Sequence, residues 1–282
     1  MTAVAGPSSL PVWGRLPGLE GVVPSPVPCG ALKLLRWTLR NRQRGYRRAI
    51  HFGSSTGARN WVRFLSRCPV TSGADHETGF GLVKPAAADF CRIAGVECPD
   101  LRPIFPVSAG ERDMVRGLTG GVPYVVIAPG GGRNPREFVP WKRWSMEGWS
   151  AVSLFLKNLG FRVFLAGGAD DVSDISGVPG TCLAGKLTWG QTAALVSGAA
   201  LFAGNDSGPA HLAVSAGTTA LVLFGPTDPD ALYPPGSIVP LRSGSSCAPC
   251  YYNSVFKGCS GNGECMSSIN QEEVIETIRG II

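Results

Sequence analysis

Four short apolar runs punctuate the second half of the chain: Tyr124-Val-Val-Ile-Ala128, Phe161-Arg-Val-Phe-Leu-Ala166, Gly198-Ala-Ala-Leu-Phe-Ala203 and Ala220-Leu-Val-Leu-Phe224. None alternates apolar with polar, as a strand with one wet face would. Unalternating runs separated by helical segments describe strands buried on both faces of a parallel sheet. Between them, Ser145 to Leu159 reads as a helix, with Ser145 as cap, Glu147 in its first turn and Gly160 at its end. Thr188 to Ser197 and Leu212 to Gly217 read as two more, and Gln271 to Gly280 as a terminal helix. An α/β fold follows. In such sheets ligands bind beyond the carboxyl ends of the strands. Gly130–Gly132, Gly167–Asp171, Asp206–His211 and Gly225–Thr227 all fall on that edge.

The turn Asn205-Asp-Ser-Gly-Pro-Ala-His211 is the most specific of these. A strand, a polar turn containing glycine and a helix N-terminus make an anion site, because the free N–H groups of the first helical turn and the positive end of the helix dipole face the ligand. Asp206 or Ser207 is placed to cap this helix. Gly208 lets a ligand approach the backbone, and Pro209 sits where a missing N–H costs nothing. His211 lies one turn in, facing the same mouth.

The first half reads differently. Residues 1–30 are rich in Pro and Gly and look irregular, apart from a short strand at Gly21–Pro24. Helical segments are expected over Ala31–Arg44, Ala58–Arg67, Ala86–Gly95 and Glu111–Leu118, with a strand at Ala49–Phe52. Residues 1–122 carry 16 Lys and Arg against 8 Asp and Glu, whereas residues 123–282 carry 10 against 12. Ten of the basic residues lie between Lys33 and Arg67 with no acid among them. Such a stretch either attracts phosphate groups, as on an anionic membrane surface or a phosphorylated sugar, or is a solvated face. No pattern typical of nucleic-acid readers accompanies it. No apolar run approaches the roughly 18 residues of a membrane span. The first residues lack the basic start and apolar core of a signal peptide, so the expected location is cytoplasmic.

Nine cysteines are present. Cys29, Cys68, Cys91, Cys98 and Cys182 are scattered and read as structural thiols. Cys247, Cys250, Cys259 and Cys265 follow a C-x2-C-x8-C-x5-C spacing, tight enough for a tetrahedral structural zinc, with free thiols or a disulfide as the alternatives.

Four elements in order, Lys142-Arg-Trp144 with Trp149 following, Asp206-Ser-Gly-Pro-Ala-His211, Leu223-Phe-Gly-Pro-Thr227, and Cys247-Ala-Pro-Cys250 before Cys265-Met266, give the chain a resemblance to glycosyltransferase family 9 over roughly residues 123–279. That family comprises the ADP-heptose:lipopolysaccharide heptosyltransferases and their relatives. The resemblance implies a GT-B fold of two Rossmann-like domains with parallel sheets. Residues 1–120 would form an incomplete acceptor-side domain and 121–282 the nucleotide-sugar domain. It implies an inverting, metal-independent transfer of a sugar, heptose from ADP-heptose, to a lipopolysaccharide-core or related glycolipid acceptor at the inner membrane face. It carries no cofactor for catalysis. Lys142, Ser207, Gly208 and His211 would hold the diphosphate and Asp206 the sugar hydroxyls. Asp170 or Asp171 would hold the ribose, and Leu187 and Trp189 would flank the base.

The family's opening strand and Gly-Asp loop, which supplies the proposed general base, has no counterpart in this sequence. His51, Asp75 and Glu20 are the remaining base candidates by residue type. Two other readings stand beside transfer: a nucleotide-sugar-binding protein without turnover, and a sugar-nucleotide epimerase or hydrolase of the same fold.

Overall fold

The apolar runs of the second half pair side by side. The computed structural model describes residues 2–5, 10–24, 36–40, 47–51, 60–64, 68–72, 84–131, 133–134, 137–251, 258–259 and 261–282. In chain order its elements are β1 (Thr2–Ala5), α1 (Leu10–Trp13), β2 (Gly21–Pro24), β3 (Ala49–His51), β4 (Val70–Ser72), α2 (Ala86–Ala94), α3 (Ala109–Thr119), β5 (Tyr124–Ala128), β6 (Arg133–Asn134) and β7 (Glu137–Phe138). Then come α4 (Met146–Asn158), β8 (Arg162–Leu165), α5 (Val172–Ile175), β9 (Thr181–Cys182), α6 (Trp189–Ser197), β10 (Leu201–Asn205) and α7 (Gly208–Ala216). The chain closes with β11 (Ala220–Phe224), α8 (Pro229–Leu232), β12 (Val239–Arg242), α9 (Glu264–Ser267) and α10 (Gln271–Ile281). Residues 36–40 and 60–64 are also helical. Among the described residues no helix is long and apolar enough to cross a membrane.

The chain divides into two compact units, Met1–Leu101 and Arg102–Ile282. The division falls ahead of α3, not after it as the 120/121 boundary has it. The reason is packing: Val115 of α3 is buried in the same core as Leu195 of α6.

In the second unit six parallel strands run in the order β12-β11-β10-β5-β8-β9. β5 is central, pairing with β8 on one side and β10 on the other. The chain therefore winds outward to β9, returns to the centre and winds outward again to β12. Every residue of β5, β10 and β11 is buried. Because side chains alternate across a strand, Val125 and Ile127 pack into one core with Trp149, Val152 and Leu156 of α4 and Val274 and Ile278 of α10. Tyr124, Val126 and Ala128 face the opposite core, with Leu195 of α6 and Ala213 and Val214 of α7. Each fully buried Leu, Ile, Val or Phe contributes about 1.5–3 kcal/mol, which explains why these strands read as unbroken apolar runs.

Local signals fix the helix ends. Ser108 and Glu111 form a capping box at the start of α3, and Thr188 and Gln191 form another at α6. The Gly148 N–H donates to Ser145 Oγ over 3.0 Å, making Ser145 the cap of α4. The expected α4, α6 and α10 are all present.

In the first unit β1 and β2 pair in parallel around α1, and β3 and β4 pair in parallel. The irregular reading of residues 1–30 is corrected by β1 and α1. Thr2–Ala5 is too short to carry a pattern of its own, and only its pairing with Gly21–Pro24 defines it as a strand. Cys91 and Cys98, read as thiols, are joined in a disulfide. Gly95 closes α2 in the left-handed conformation, turning the chain so that the two Cα atoms come within 6.3 Å, inside the range a disulfide spans.

Candidate functional site

Trp144 anchors the segment that carries the site's cations. Its side chain is buried, with its ring edge-on to Trp149 at 5.1 Å, and its Nε1 donates to the Ile269 carbonyl over 3.0 Å. Asn205, the last residue of β10, ties this segment to the sheet. Its Oδ1 accepts from the Trp144 N–H at 3.3 Å, and its Nδ2 donates to the carbonyls of Pro129 at 2.6 Å and Gly130 at 3.1 Å. With Trp144 buried, Lys142 and Arg143 are held at the carboxyl edge of the sheet and serve different purposes.

Lys142 pairs with Asp206. Its Nζ lies 2.6 Å from Asp206 Oδ2, and both side chains are largely buried. The Tyr233 hydroxyl donates to Asp206 Oδ1 over 2.9 Å. Burial by itself would push the Asp206 carboxyl up, but the Lys142 ammonium, with smaller help from His211 and Thr227, holds it below the usual carboxylate range. The His211 ring is stacked on Tyr233, with centroids 4.4 Å apart and planes 7° from parallel. Burial holds His211 below its ordinary value against the pull of Asp206, so the imidazole is neutral at pH 7. Burial, then the Asp206 charge, raise the Tyr233 hydroxyl well above its ordinary value, so it remains a donor.

The start of α7 departs from expectation in one respect. Neither Asp206 nor Ser207 caps the helix with its side chain. The Asp206 carboxylate is engaged by Lys142 and Tyr233, and the Ser207 hydroxyl donates back to the Asn205 carbonyl over 3.1 Å. Pro209 sits in the first turn as expected. A helix N-terminus without a side-chain cap keeps its positive end directed at the cavity.

That cavity, of 430 Å³, opens where the strand order reverses, between the carboxyl ends of β5, β8 and β10. Gly130, Gly131, Lys142, Gly167, Gly168, Asp206, Ser207 and Gly208 line one part of it, and Leu187, Thr188, Trp189 and Thr192 line another. Trp189 is 41% exposed, and its ring lies so close to Gly208 that a Cβ there would fall 2.7 Å from it. Five residues named from sequence for the donor, Lys142, Asp206, Ser207, Gly208 and Asp171, therefore meet Leu187 and Trp189 around one space. His211 does not line it. Its ring stacks on Tyr233.

The two ribose candidates separate. Asp170 is exposed and does not line the cavity. Asp171 lines it but is committed internally: Oδ2 accepts from the Gly168 N–H at 2.9 Å, and Oδ1 accepts from the Gly131 N–H at 3.3 Å and from Arg143 Nη2. Arg143 also bonds Asp174 and, at 2.6 Å, the Gly131 carbonyl. Asp171 thus braces the two glycine loops. A Cβ on Gly130 would fall 2.4 Å from its carboxyl carbon, so only glycine fits there. The sequence assigns no role to Arg143, Asn205 or Tyr233. Arg143 stood inside the Lys142–Trp144 motif and Asn205 at the head of the turn, but nothing in the local sequence marks Tyr233.

In the first unit, His51 ends β3, and its Nδ1 is 2.9 Å from Ser72 Oγ at the end of β4. Glu20 is exposed. Asp75 lies outside the described residues, as do Lys33, Arg42, Arg44, Arg59 and Arg67 of the basic stretch.

The structure does not support the zinc expectation. Among the described residues no group of three or more His, Cys, Asp or Glu side chains could hold a metal ion. Cys247 and Cys250 are exposed, whereas Cys265 is buried in α9 and its thiol is pushed up to about 11, mainly by burial. Cys247 Sγ pairs with Ser245 Oγ at 3.1 Å, and Cys259 Sγ accepts from the Gly263 N–H at 3.2 Å.

Comparison with known proteins places these features in a family. The model of glycosyltransferase family 9 (heptosyltransferase) matches residues 79–255. Lipopolysaccharide heptosyltransferase 3 of Escherichia coli is 38% identical over 114 residues, covering 37% of this chain and 32% of that protein. The matched stretch thus spans about a third of that relative's length. Lipopolysaccharide heptosyltransferase 2 of Salmonella typhimurium is 25% identical over 317 residues, covering 96% of this chain and 86% of that protein. The solved structure of E. coli ADP-heptose lps heptosyltransferase II superposes with a TM-score of 0.74 at 20% identity, covering 99% of this chain and 88% of that one. The α/β, GT-B type of fold is shared with it.

Proposed function

Because the chain belongs to glycosyltransferase family 9, we propose that it is an inverting glycosyltransferase that moves heptose from ADP-heptose to a lipopolysaccharide-core or related glycan acceptor. One observation carries this reading: the Lys142–Asp206 pair and the N-terminus of α7 converge on one cavity at the point where the strand order reverses. Its position suits a nucleotide, and its charges suit a diphosphate that bears a sugar. The solved E. coli relative is named for ADP-heptose.

In this reading the acceptor hydroxyl attacks the anomeric carbon on the face opposite the diphosphate. A new carbon–oxygen bond forms, and the bond from the anomeric carbon to the diphosphate breaks, inverting the configuration. The departing diphosphate takes the bonding electrons. Its growing charge is met by the Lys142 ammonium and the backbone N–H groups at Ser207 and Gly208, groups that need no reorganisation as the charge develops. Asp206 contacts the sugar hydroxyls. Leu187 and Trp189 flank the base. The acceptor's proton goes to a general base, for which His51, Glu20 and Asp75 are the candidates by residue type. The basic stretch from Lys33 to Arg67 suits a phosphorylated glycolipid at the inner face of an anionic membrane.

Calorimetric titration with ADP-heptose, ADP, UDP and GDP tests the reading. We expect adenine nucleotides to bind and ADP-heptose to bind more tightly than ADP. If no nucleotide binds, the proposal is wrong. Binding of ADP-heptose without transfer to any lipopolysaccharide acceptor would replace it with a binding protein that lacks turnover.

A further inference from the structure

Resting on the donor site just described, we propose that Tyr233 is a positioning residue that makes the site select a sugar nucleotide over the bare nucleotide. It does so by fixing the Asp206 carboxylate while the partner of Oδ2 is exchanged. Tyr233 follows the short helix α8 and is 2% exposed. Its ring is held on two sides, by the stacked His211 and by Phe224, which lies edge-on at 5.7 Å. Its own N–H is bonded to the Pro229 carbonyl at 2.9 Å. A ring so confined delivers its hydroxyl to one place, and that place is Asp206 Oδ1, 2.9 Å away.

The consequence lies in the accounting of the carboxylate's two oxygens. Oδ1 accepts from Tyr233 and Oδ2 pairs with the Lys142 ammonium, with the Thr227 hydroxyl adding a weaker pull on the carboxylate. With both taken and the side chain buried, Asp206 offers nothing to a sugar. Lys142, however, lines the same cavity as the α7 N-terminus, so a diphosphate seated there competes for its ammonium. When Lys142 turns to the diphosphate, Oδ2 loses its charged partner while Tyr233 still holds Oδ1. An unpartnered buried carboxylate oxygen is costly. A sugar hydroxyl placed beside it relieves that cost, and a nucleotide without a sugar does not. The sugar is therefore recognised only behind its diphosphate. After transfer, the bare nucleotide leaves Oδ2 unsatisfied, and Lys142 returns to it, which favours release.

The test is calorimetric affinity for ADP-heptose and for ADP in the wild type and Tyr233→Phe, with far-ultraviolet circular dichroism to verify folding. The phenylalanine keeps both ring contacts and removes only the hydroxyl. We expect ADP-heptose to bind about tenfold more weakly and ADP to change less than twofold. A purely structural role would weaken both alike. Parallel losses, no loss, or a wild type with no preference for ADP-heptose overturns the inference. In an Asp206→Ala background, Tyr233→Phe is expected to leave the affinity ratio unchanged, and a further drop would show that Tyr233 does not act through Asp206. Should Tyr233→Phe not fold, Phe224→Leu loosens the ring without touching the hydroxyl. It is expected to lower the ratio about threefold, and an unchanged ratio overturns the inference. A wild type that binds neither ligand ends the donor-site reading itself. A wild type with the preference, unaltered by Tyr233→Phe, ends only this inference.

Discussion

Lys142 Nζ sits 2.6 Å from Asp206 Oδ2, and both side chains are mostly withdrawn from solvent. They come from segments 64 residues apart, one fixed by the buried Trp144 and the other by the end of β10. Removing one member of a buried pair strands the other's charge, at a cost of about 3–5 kcal/mol. Lys142→Ala is therefore expected to lower the melting temperature clearly and to abolish measurable donor binding. The double variant Lys142→Met with Asp206→Leu should recover much of the stability and none of the binding. Thermal melts alongside calorimetry check this; a Lys142→Ala protein that melts and binds like the wild type would remove the pair from the site.

Gly130 is predicted to be irreplaceable. A methyl group there would overlap the Asp171 carboxylate, which bonds the Gly131 and Gly168 N–H groups and Arg143. Gly130→Ala should cost about 1–3 kcal/mol through forced displacement and weaken nucleotide binding at least tenfold. Denaturant unfolding and ADP titration read the two effects separately.

Trp189 is expected to serve binding and not stability. It is 41% exposed at the cavity wall, and stacking a base on an aromatic ring contributes about 1–3 kcal/mol. Trp189→Ala should weaken ADP roughly tenfold and leave inorganic pyrophosphate unaffected, with a melting temperature close to the wild type. Equal losses for ADP and pyrophosphate would contradict a base-stacking role.

Acid should destabilise the protein in two windows. His211 is depressed by burial. Below its ordinary value of 6.5 the unfolded chain takes up a proton that the folded one refuses, so stability falls as the pH drops below about 6.5. Asp206 is also held low, so below its ordinary value of 3.8 the unfolded state again binds more protons, and the stability it contributes is lost as the pH falls through its folded value. In His211→Asn the decline between pH 6.5 and 5 should flatten, while the lower window, set mainly by Lys142, persists in weakened form. Melting temperatures measured from pH 8 to 3 in both proteins decide it.

The reach of the sequence is visible in particular residues. Ser145, Thr188 and the buried runs at β5, β10 and β11 are legible because caps act over three residues and a strand covered on both faces must be apolar at every position. Lys142, Asp206, Ser207 and Gly208 are legible because motif and fold place them on one edge. By contrast, β1 is not legible because four small residues carry no period, nor is the Cys91–Cys98 bond, which depends on how Gly95 turns the chain.

The parallel sheet, its carboxyl edge and the residue types gathered there are written in the chain itself, since they follow from hydrophobic patterning and short-range backbone chemistry. Tertiary structure alone decided how those residues are used. Asp171 braces loops through Arg143, His211 stacks on Tyr233, and Tyr233, 27 residues beyond Asp206, reaches back to hold that carboxylate. Charge pairing, stacking and burial act through space between distant segments, and no local pattern along the chain records them.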